Sequence, residues 1–141
     1  MYATLEYRTV QSLFTGGTNA IRGISGGGLP WVIAFGKGKL SPDGSVDVLV
    51  KGLVIDPNDL AAIAAGRAGT NPSPNFKVIV SCLTKDVNGA AITVNVSSGL
   101  FPADAEGNAQ IKDSVSLPSP CIAPIIFVTS PTGSWFASTG Y

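Results

Sequence analysis

The stretch from Cys121 to Ala137 constrains the fold most strongly, because both faces of its first predicted strand are apolar. Neighbouring residues of a strand point to opposite sides, and here the two sets are Ile122, Ile126 and Val128 on one side, Ile125 and Phe127 on the other. Such a strand needs cover on both faces, from a second sheet, a loop or a neighbouring subunit. The Ser130–Gly133 segment then leads into a second apolar strand, which predicts a hairpin around which the fold is organised.

Short alternating segments fill the rest of the chain, separated by turn signals about every ten residues. Ser41–Gly44 and Asp86–Gly89 are clear examples, and 17 glycines and 10 prolines are spread along the 141 residues. This pattern predicts an all-β fold: one antiparallel β-sandwich of about eight or nine strands, either a jelly roll or an immunoglobulin-like Greek key.

One short helix is predicted near residues 57–65. Asp56 has the side chain of a helix N-cap, Pro57 suits the first helical position, and Gly66 is a typical stop signal. Because the segment is short and rich in alanine, we expect it to cover one end of the sandwich.

The N-terminal residues are predicted to form an arm, with residues 1–18 separate from a sandwich domain at residues 19–141. Tyr2–Phe14 has the pattern of one long strand, and the glycines of Thr15–Thr18 provide a flexible joint after it. The predicted pairing residues of this strand are Leu5, Tyr7, Val10, Leu13 and Phe14. We expect the strand to pair with a neighbouring chain, since a lone strand is unstable in water. The alternative is an edge strand folded back on its own sandwich.

Cys82 and Cys121 are the two cysteines of the chain, and both lie in predicted apolar strands. A disulfide between them would close a loop of 39 residues and stabilise the fold by roughly 4 kcal/mol on the chain-entropy model. Two buried thiols are the alternative, whereas a redox pair usually has Cys-x-x-Cys spacing. A disulfide favours an extracellular or cell-surface location, although Met1–Val10 does not have the apolar core of a signal peptide.

The chain contains no histidine, which removes the usual general base and any Ser-His-Asp triad. Its aspartates fall at predicted turns, on a polar strand face or at the helix start, where they cap and solubilise: Asp43, Asp47, Asp56 and Asp59. Asp104–Asn108 fits a polar hairpin tip as well as a calcium loop. We therefore expect no enzyme activity, no metal and no cofactor.

Nine basic and nine acidic residues cancel, so the chain has no basic excess for nucleic acid or for anionic membrane surfaces. No predicted helix is long enough to span a bilayer. The glycine-rich residues 23–30 do not have the Gly-Lys-Ser/Thr ending of a phosphate loop, and a strand follows them instead of a helix. They are predicted to be a flexible or tightly packed loop.

Charged residues make up 13% of the chain and hydrophobic residues 45%, so apolar surface must be hidden in a core or in contacts with other chains. We predict a non-enzymatic structural subunit, a self-associating extracellular or surface β-sandwich of a fibre, pilus-like filament or shell, assembled by exchange of the N-terminal strand. The alternative is a small carbohydrate-binding, lectin-like module that stacks a sugar on Trp31 and Trp135. Burial of these tryptophans in the core is the competing expectation.

Overall fold

The computed structural model describes residues 3–5, 7–9 and 20–139. Their strands are β1 (Ala3–Leu5), β2 (Tyr7–Thr9), β3 (Trp31–Val32), β4 (Phe35–Leu40), β5 (Ser45–Lys51), β6 (Val54–Ile55), β7 (Asn75–Lys85), β8 (Ala91–Ser97), β9 (Phe101–Pro102), β10 (Ala109–Ser114), β11 (Ile122–Thr129) and β12 (Trp135–Thr139). One helix, α1 (Leu60–Ala64), lies between β6 and β7. This part of the chain is therefore nearly all β, as predicted.

Two antiparallel sheets contain most of these strands. Sheet A has the order β1-β4-β5-β10, and sheet B has the order β2-β12-β11-β7-β8, with β9 pairing the start of β7. The short strands β3 and β6 pair separately. Along these described strands the chain changes sheet five times: between β1 and β2, β2 and β4, β5 and β7, β8 and β10, and β10 and β11. The result is an antiparallel β-sandwich, which confirms the predicted fold class.

The core lies between the sheets and consists of side chains from alternating strand positions. Nine of them are at most 3% exposed: Val46, Val48, Val50 and Ile111 from sheet A, and Phe76, Val78, Val80, Ile126 and Val128 from sheet B. Ile111 is the cross-strand partner of Val48, and Val80 is the partner of Ile126. Because cross-strand partners share a face, these residues form two apolar layers that face each other.

β11 and β12 form the hairpin predicted for the 121–137 stretch, with its turn at Ser130–Gly133. β11 lies inside sheet B, between β7 and β12. Its residues 125–129 are all buried, on both faces of the strand. The expectation that this strand is covered on both sides is confirmed for residues 125–129, whereas Ile122, which lies before a register shift, is 51% exposed.

The N-terminal region differs from the predicted single strand over Tyr2–Phe14. Its described residues form two three-residue strands, β1 in sheet A and β2 in sheet B. The division has a topological cause, since β1 pairs with β4 and β2 pairs with β12, which belong to different sheets.

The strand that follows the glycine-rich residues 23–30 is interrupted at Ile33 and Ala34, between β3 and β4. Gly52 lies opposite this break with φ at 66°, and a Cβ added there would lie 2.8 Å from the Ala34 Cβ. This close backbone approach lies where the β3–β6 pair gives way to the β4–β5 pair.

The helix begins later than predicted, at Leu60. Asp59 is its N-cap, because the Asp59 carboxylate accepts a hydrogen bond from the Ala62 N–H at 2.9 Å. Asp56 instead accepts from the Asn58 N–H at 2.9 Å and closes the preceding turn. Gly66 ends the helix with φ at 70°, as its position predicts.

Candidate functional site: the edges of the two sheets

The described arm residues lie at one edge of each sheet. Leu5 of β1 is the Cα partner of Gly38, and Tyr7 of β2 is the partner of Thr139. In this single chain both pairings are made within one sandwich, and pairing with a neighbouring chain stays a prediction. The other predicted pairing residues, Val10, Leu13 and Phe14, lie outside the described residues.

Four strands form the edges of the two sheets, β1 and β10 in sheet A and β2 and β8 in sheet B. β1 and β2 are only three residues long, and β10 carries Lys112 and Asp113. Short strands and charged side chains are common protection against edge-to-edge pairing. The seven residues of β8 contain neither a charge nor a proline. β8 is therefore the least protected of these four edges.

The direction of the β8 hydrogen bonds follows from its hairpin with β7. The Ser98 N–H donates to the Val78 carbonyl at 2.8 Å, and the Asp86 N–H donates to the Ala90 carbonyl at 2.9 Å. Since bonded and non-bonded pairs alternate along an antiparallel ladder, the even-numbered residues of β8 bond to β7. Residues 91, 93, 95 and 97 direct their N–H and C=O groups toward the open edge, where none of the described strands pairs with them.

The predicted turn at Asp86–Gly89 indicates a hairpin, but it does not show that the strand after the turn lies at an edge. A local signal was nevertheless present, because the chain has no charged residue between Asp86 and Asp104. The strand order then shows that, among the described strands, this uncharged stretch has a neighbour on one side only.

Residues 21–27 cover part of the outer face of sheet B. The Arg22 guanidinium donates to the Ser81 carbonyl of β7 at 3.0 Å, and the Asn95 side chain of β8 donates to the Arg22 carbonyl at 3.1 Å. The Gly27 N–H donates to the Trp135 carbonyl of β12 at 2.9 Å. The buried apolar side chains on this face, each at most 7% exposed, are Ile79, Ile125, Phe127 and Trp135, and the polar residues Ser81, Thr129 and Ser138 are buried beside them.

Both tryptophans proposed for sugar stacking lie inside the protein. Trp31 is 4% exposed and Trp135 is 2% exposed. Trp31 stacks on Phe136 with ring centroids 3.8 Å apart, and a Cβ added at Gly27 would lie 3.2 Å from the Trp31 Nε1. The glycine-rich loop is thus tightly packed at this point, and the structure places both indole rings where core burial was the expectation.

A β-bulge places Trp135 and Phe136 on opposite faces of sheet B. Val128 pairs with Ala137, whereas the next residue of β11, Thr129, pairs with Trp135. Phe136 is therefore the extra residue, and a bulge directs it to the same face as Ala137. Phe136 joins the core between the sheets, while the Trp135 ring meets Phe127 on the outer face with centroids 6.2 Å apart.

The two cysteines form the predicted disulfide. Cys82 and Cys121 are bonded, with their Cα atoms 4.9 Å apart. The bond joins the central strand β7 to the residue that precedes β11, and Cys82 is fully buried. The disulfide therefore ties the entry of the central hairpin to its neighbour in the same sheet.

Three aspartates stabilise turns and connections through backbone N–H groups. Asp43 accepts from Ser45 at 2.9 Å, Asp104 from Asn108 at 2.8 Å and Asp113 from Gly99 at 2.8 Å. These bonds favour the ionised carboxylates, so the pKa of each lies below its ordinary value. Across the described ranges, no three histidine, cysteine, aspartate or glutamate side chains lie close enough together to hold a metal ion.

The outer face of sheet A is polar and open. A cleft of about 340 Å³ on this face is lined by Lys39, Ser41, Ser45, Val46, Asp47, Lys112 and Asp113. The Lys112 Nζ lies 3.9 Å from the Asp47 carboxylate, and the Gln110 amide lies 3.5 Å from it. Asp47 is thus engaged by a lysine and an amide, as on an ordinary solvated sheet face.

Helix α1 exposes apolar side chains, with Leu60 at 81% and Ile63 at 52%. These residues are three positions apart and share one side of the helix. Among residues 20–139 and the two N-terminal strands, no helix has the length and apolar content needed to span a membrane.

No protein-family model, curated protein or solved structure matches the chain. The functional argument therefore depends on the geometry of the sandwich and its edges.

Proposed function

We propose that this chain is a non-enzymatic structural protein, a β-sandwich subunit that associates with copies of itself in a fibre, pilus-like filament or shell. The observation that carries the proposal is the placement of the arm, which supplies an edge strand to each of the two sheets. A strand added to an open edge contributes main-chain hydrogen bonds whichever chain it comes from. The pairs with β4 and β12 can therefore be made by the arm of a second copy.

The short length of the arm pairings favours exchange. β1 and β4 share three Cα pairs, and β2 and β12 share three more. An exchanged arm regains the same pairs in the second copy, so the remaining cost of exchange is the entropy of association. The glycines of Thr15–Thr18 place a conformationally permissive sequence after the arm.

Location forms part of the same proposal. The Cys82–Cys121 disulfide is compatible with an oxidising compartment, and disulfides are rare in reducing ones. We place the subunit outside the cell or at the cell surface. Trp31 and Trp135 are at most 4% exposed, so neither ring offers an exposed face for sugar stacking, and we favour the structural subunit over the carbohydrate-binding alternative.

The double variant Thr4→Cys/Lys39→Cys tests arm exchange, because these two residues are Cα partners in the β1–β4 pair. In an exchanged assembly, oxidation links different chains, so covalent dimers or longer ladders run on a non-reducing denaturing gel. Reduction returns them to single chains. Thr4→Cys and Lys39→Cys alone are the matched controls, since each adds one cysteine without its partner.

Solution mass and electron microscopy of the unmodified chain test self-association separately. The proposed function is overturned by a single-chain mass across the micromolar range together with purely internal bridges in the double variant. If the protein has the mass of an oligomer but the double variant forms only disulfides within one chain, arm exchange is overturned. Self-association then takes place through another surface.

A further inference from the structure

We propose that β8 is a second self-association edge, at which two copies of this chain pair antiparallel about a two-fold axis through Val94. The pairing would join the two B sheets into one continuous sheet. This inference rests on the proposed function, because it names a surface through which the same subunit associates.

The first argument is that the β8 edge has unused hydrogen-bonding groups. Residues 91, 93, 95 and 97 direct their main-chain N–H and C=O groups away from β7, and no main-chain hydrogen bond from the described residues reaches that side of the strand. A second β8 strand would satisfy these groups with up to about eight hydrogen bonds. The other edges are short or charged, so this edge is the one suited to strand addition.

The second argument is the symmetry of the β8 sequence, Ala-Ile-Thr-Val-Asn-Val-Ser, about its central residue. In an antiparallel pair centred on Val94, Ile92 meets Val96 of the second copy and Thr93 meets Asn95 of the second copy. In these pairs aliphatic residues meet aliphatic residues and polar residues meet polar ones, while at the two ends Ala91 meets Ser97, both small residues. The hydrogen-bonding direction agrees with this register, because Thr93 and Asn95 both direct their main-chain groups outward.

The third argument concerns the apolar side chains of β8 on the inner face of sheet B. Ile92 is 38% exposed, and Val94 and Val96 are half-buried. They are incompletely covered because β10, the nearest edge of sheet A, packs mainly over β7 and β9. Pairing of two β8 strands would bring both aliphatic rows together and remove them from water.

A second copy is the occupant that the charges favour. No charged residue lies between Asp86 and Asp104, so two identical edges meet without like-charge repulsion. An acidic or basic peptide would find no complementary charge on this edge to select it. A second copy, by contrast, carries the same β8 sequence, and the near-symmetry of that sequence lets the two strands pair like residues with like.

Charged substitutions at Thr93 and Asn95 test the proposal. Both residues are exposed, and the variants Thr93→Lys/Asn95→Lys and Thr93→Asp/Asn95→Asp each create two like-charged pairs at the contact. We expect each variant to associate through β8 more weakly by roughly tenfold or more, and an equimolar mixture to regain the contact through Lys–Asp pairs. Both variants lose the hydrogen bond from the Asn95 side chain to the Arg22 carbonyl. The loss of that bond therefore cannot explain why association returns when the two variants are mixed.

The double variant Ser114→Lys/Ser116→Lys is the matched control, because it adds the same charge at exposed positions of the β10 region. It should keep the wild-type mass in sedimentation experiments. Amide hydrogen exchange supplies a second measurement in the wild type. The Thr93 and Asn95 amides should exchange on the order of tenfold more slowly as concentration rises, whereas the Val94 amide, which bonds to β7, should be protected throughout.

The possible results separate this inference from arm exchange. Recovery of association in the mixture, with concentration-dependent protection of Thr93 and Asn95, supports the β8 contact. Wild-type mass in both charge variants, with fast exchange of these amides at every concentration, overturns it and leaves the Thr4→Cys/Lys39→Cys result unaffected. A wild-type chain that is a monomer at every concentration overturns the β8 contact together with the proposed function.

Discussion

The two sheets of the sandwich differ in how far their outer faces are exposed to solvent. In sheet A, β5 and β10 bury alternate residues, and the outer face carries Lys39, Asp47 and Lys112. In sheet B, β7, β11 and β12 contain runs of consecutive buried residues. Sheet A therefore has the one solvated face common in antiparallel sheets, whereas sheet B is an internal layer with apolar contacts on both sides.

From this difference we expect substitutions on the outer face of sheet B to cost more stability than substitutions on the outer face of sheet A. The central strands of sheet B are covered by sheet A on one side and partly by residues 21–27 on the other. The disulfide lies in the same sheet. Substitutions on the two outer faces should therefore have very different consequences, although both faces belong to strands of similar length.

The largest effect is expected for Phe127→Ala on the outer face of sheet B. Phe127 is fully buried, so its truncation should lower the free energy of unfolding by about 3–5 kcal/mol. Leu49→Ala, on the outer face of sheet A, is the matched variant and should cost less than about 1 kcal/mol because Leu49 is partly exposed. Urea denaturation measures both, and equal losses would contradict the proposed difference between the faces.

Cys82→Ala should lower the free energy of unfolding by about 2–4 kcal/mol, because it opens the loop of 39 residues whose two ends the disulfide joins beside sheet B. Thermal unfolding with and without reductant provides the check. Reduction should destabilise the wild type and leave the variant unchanged. A variant as stable as the oxidised wild type would show that the disulfide does not stabilise this sheet.

Two turn glycines, one beside each sheet, allow a further comparison of the stability lost on substitution. Gly107, before β10, and Gly89, between β7 and β8, have φ at 79° and 82°. A Cβ at Gly107 would collide with the Leu53 carbonyl, whereas no atom lies within 4 Å of one at Gly89. Gly89→Ala should cost about 1 kcal/mol from backbone strain, and Gly107→Ala should cost about 1–2 kcal/mol more. Similar unfolding midpoints for the two variants would contradict this expectation.

The smallest effect is expected for Asp113, which links sheet A to the connection after β8. Its carboxylate accepts the Gly99 N–H and the Ser114 N–H, and these bonds hold its pKa below the ordinary value. The stabilisation is therefore present above the unfolded-state pKa and is lost as the pH falls through the folded-state pKa. Asp113→Asn should lower the unfolding midpoint at pH 7, and the gap from the wild type should shrink at acidic pH. A gap that is the same at both pH values would exclude this carboxylate as the cause.

Much of the fold was predictable because the relevant signals are local. Alternation and turn residues indicated the β-sandwich, and residues 121–137 indicated a hairpin covered on both faces. Gly66 ended the helix where expected, but Asp59 replaced Asp56 as its N-cap. Two aspartates three positions apart offer equivalent capping groups, and the local pattern does not say which one closes the preceding turn.

The apolar character of β7, β11 and β12 was determined by the sequence alone, since it depends on residue type and on period. The sequence left the state of Cys82 and Cys121 open between a disulfide and two thiols, and the pairing of β7 with β11 brings their Cα atoms to 4.9 Å. Tertiary structure alone decided that β1 and β2 join different sheets, that β8 has a neighbour on one side only among the described strands, and that both tryptophans are enclosed. The physical reason is that strand order and side-chain cover depend on contacts between residues far apart in the chain. An edge strand and an interior strand can have the same alternation, and only the presence of a second neighbour distinguishes them.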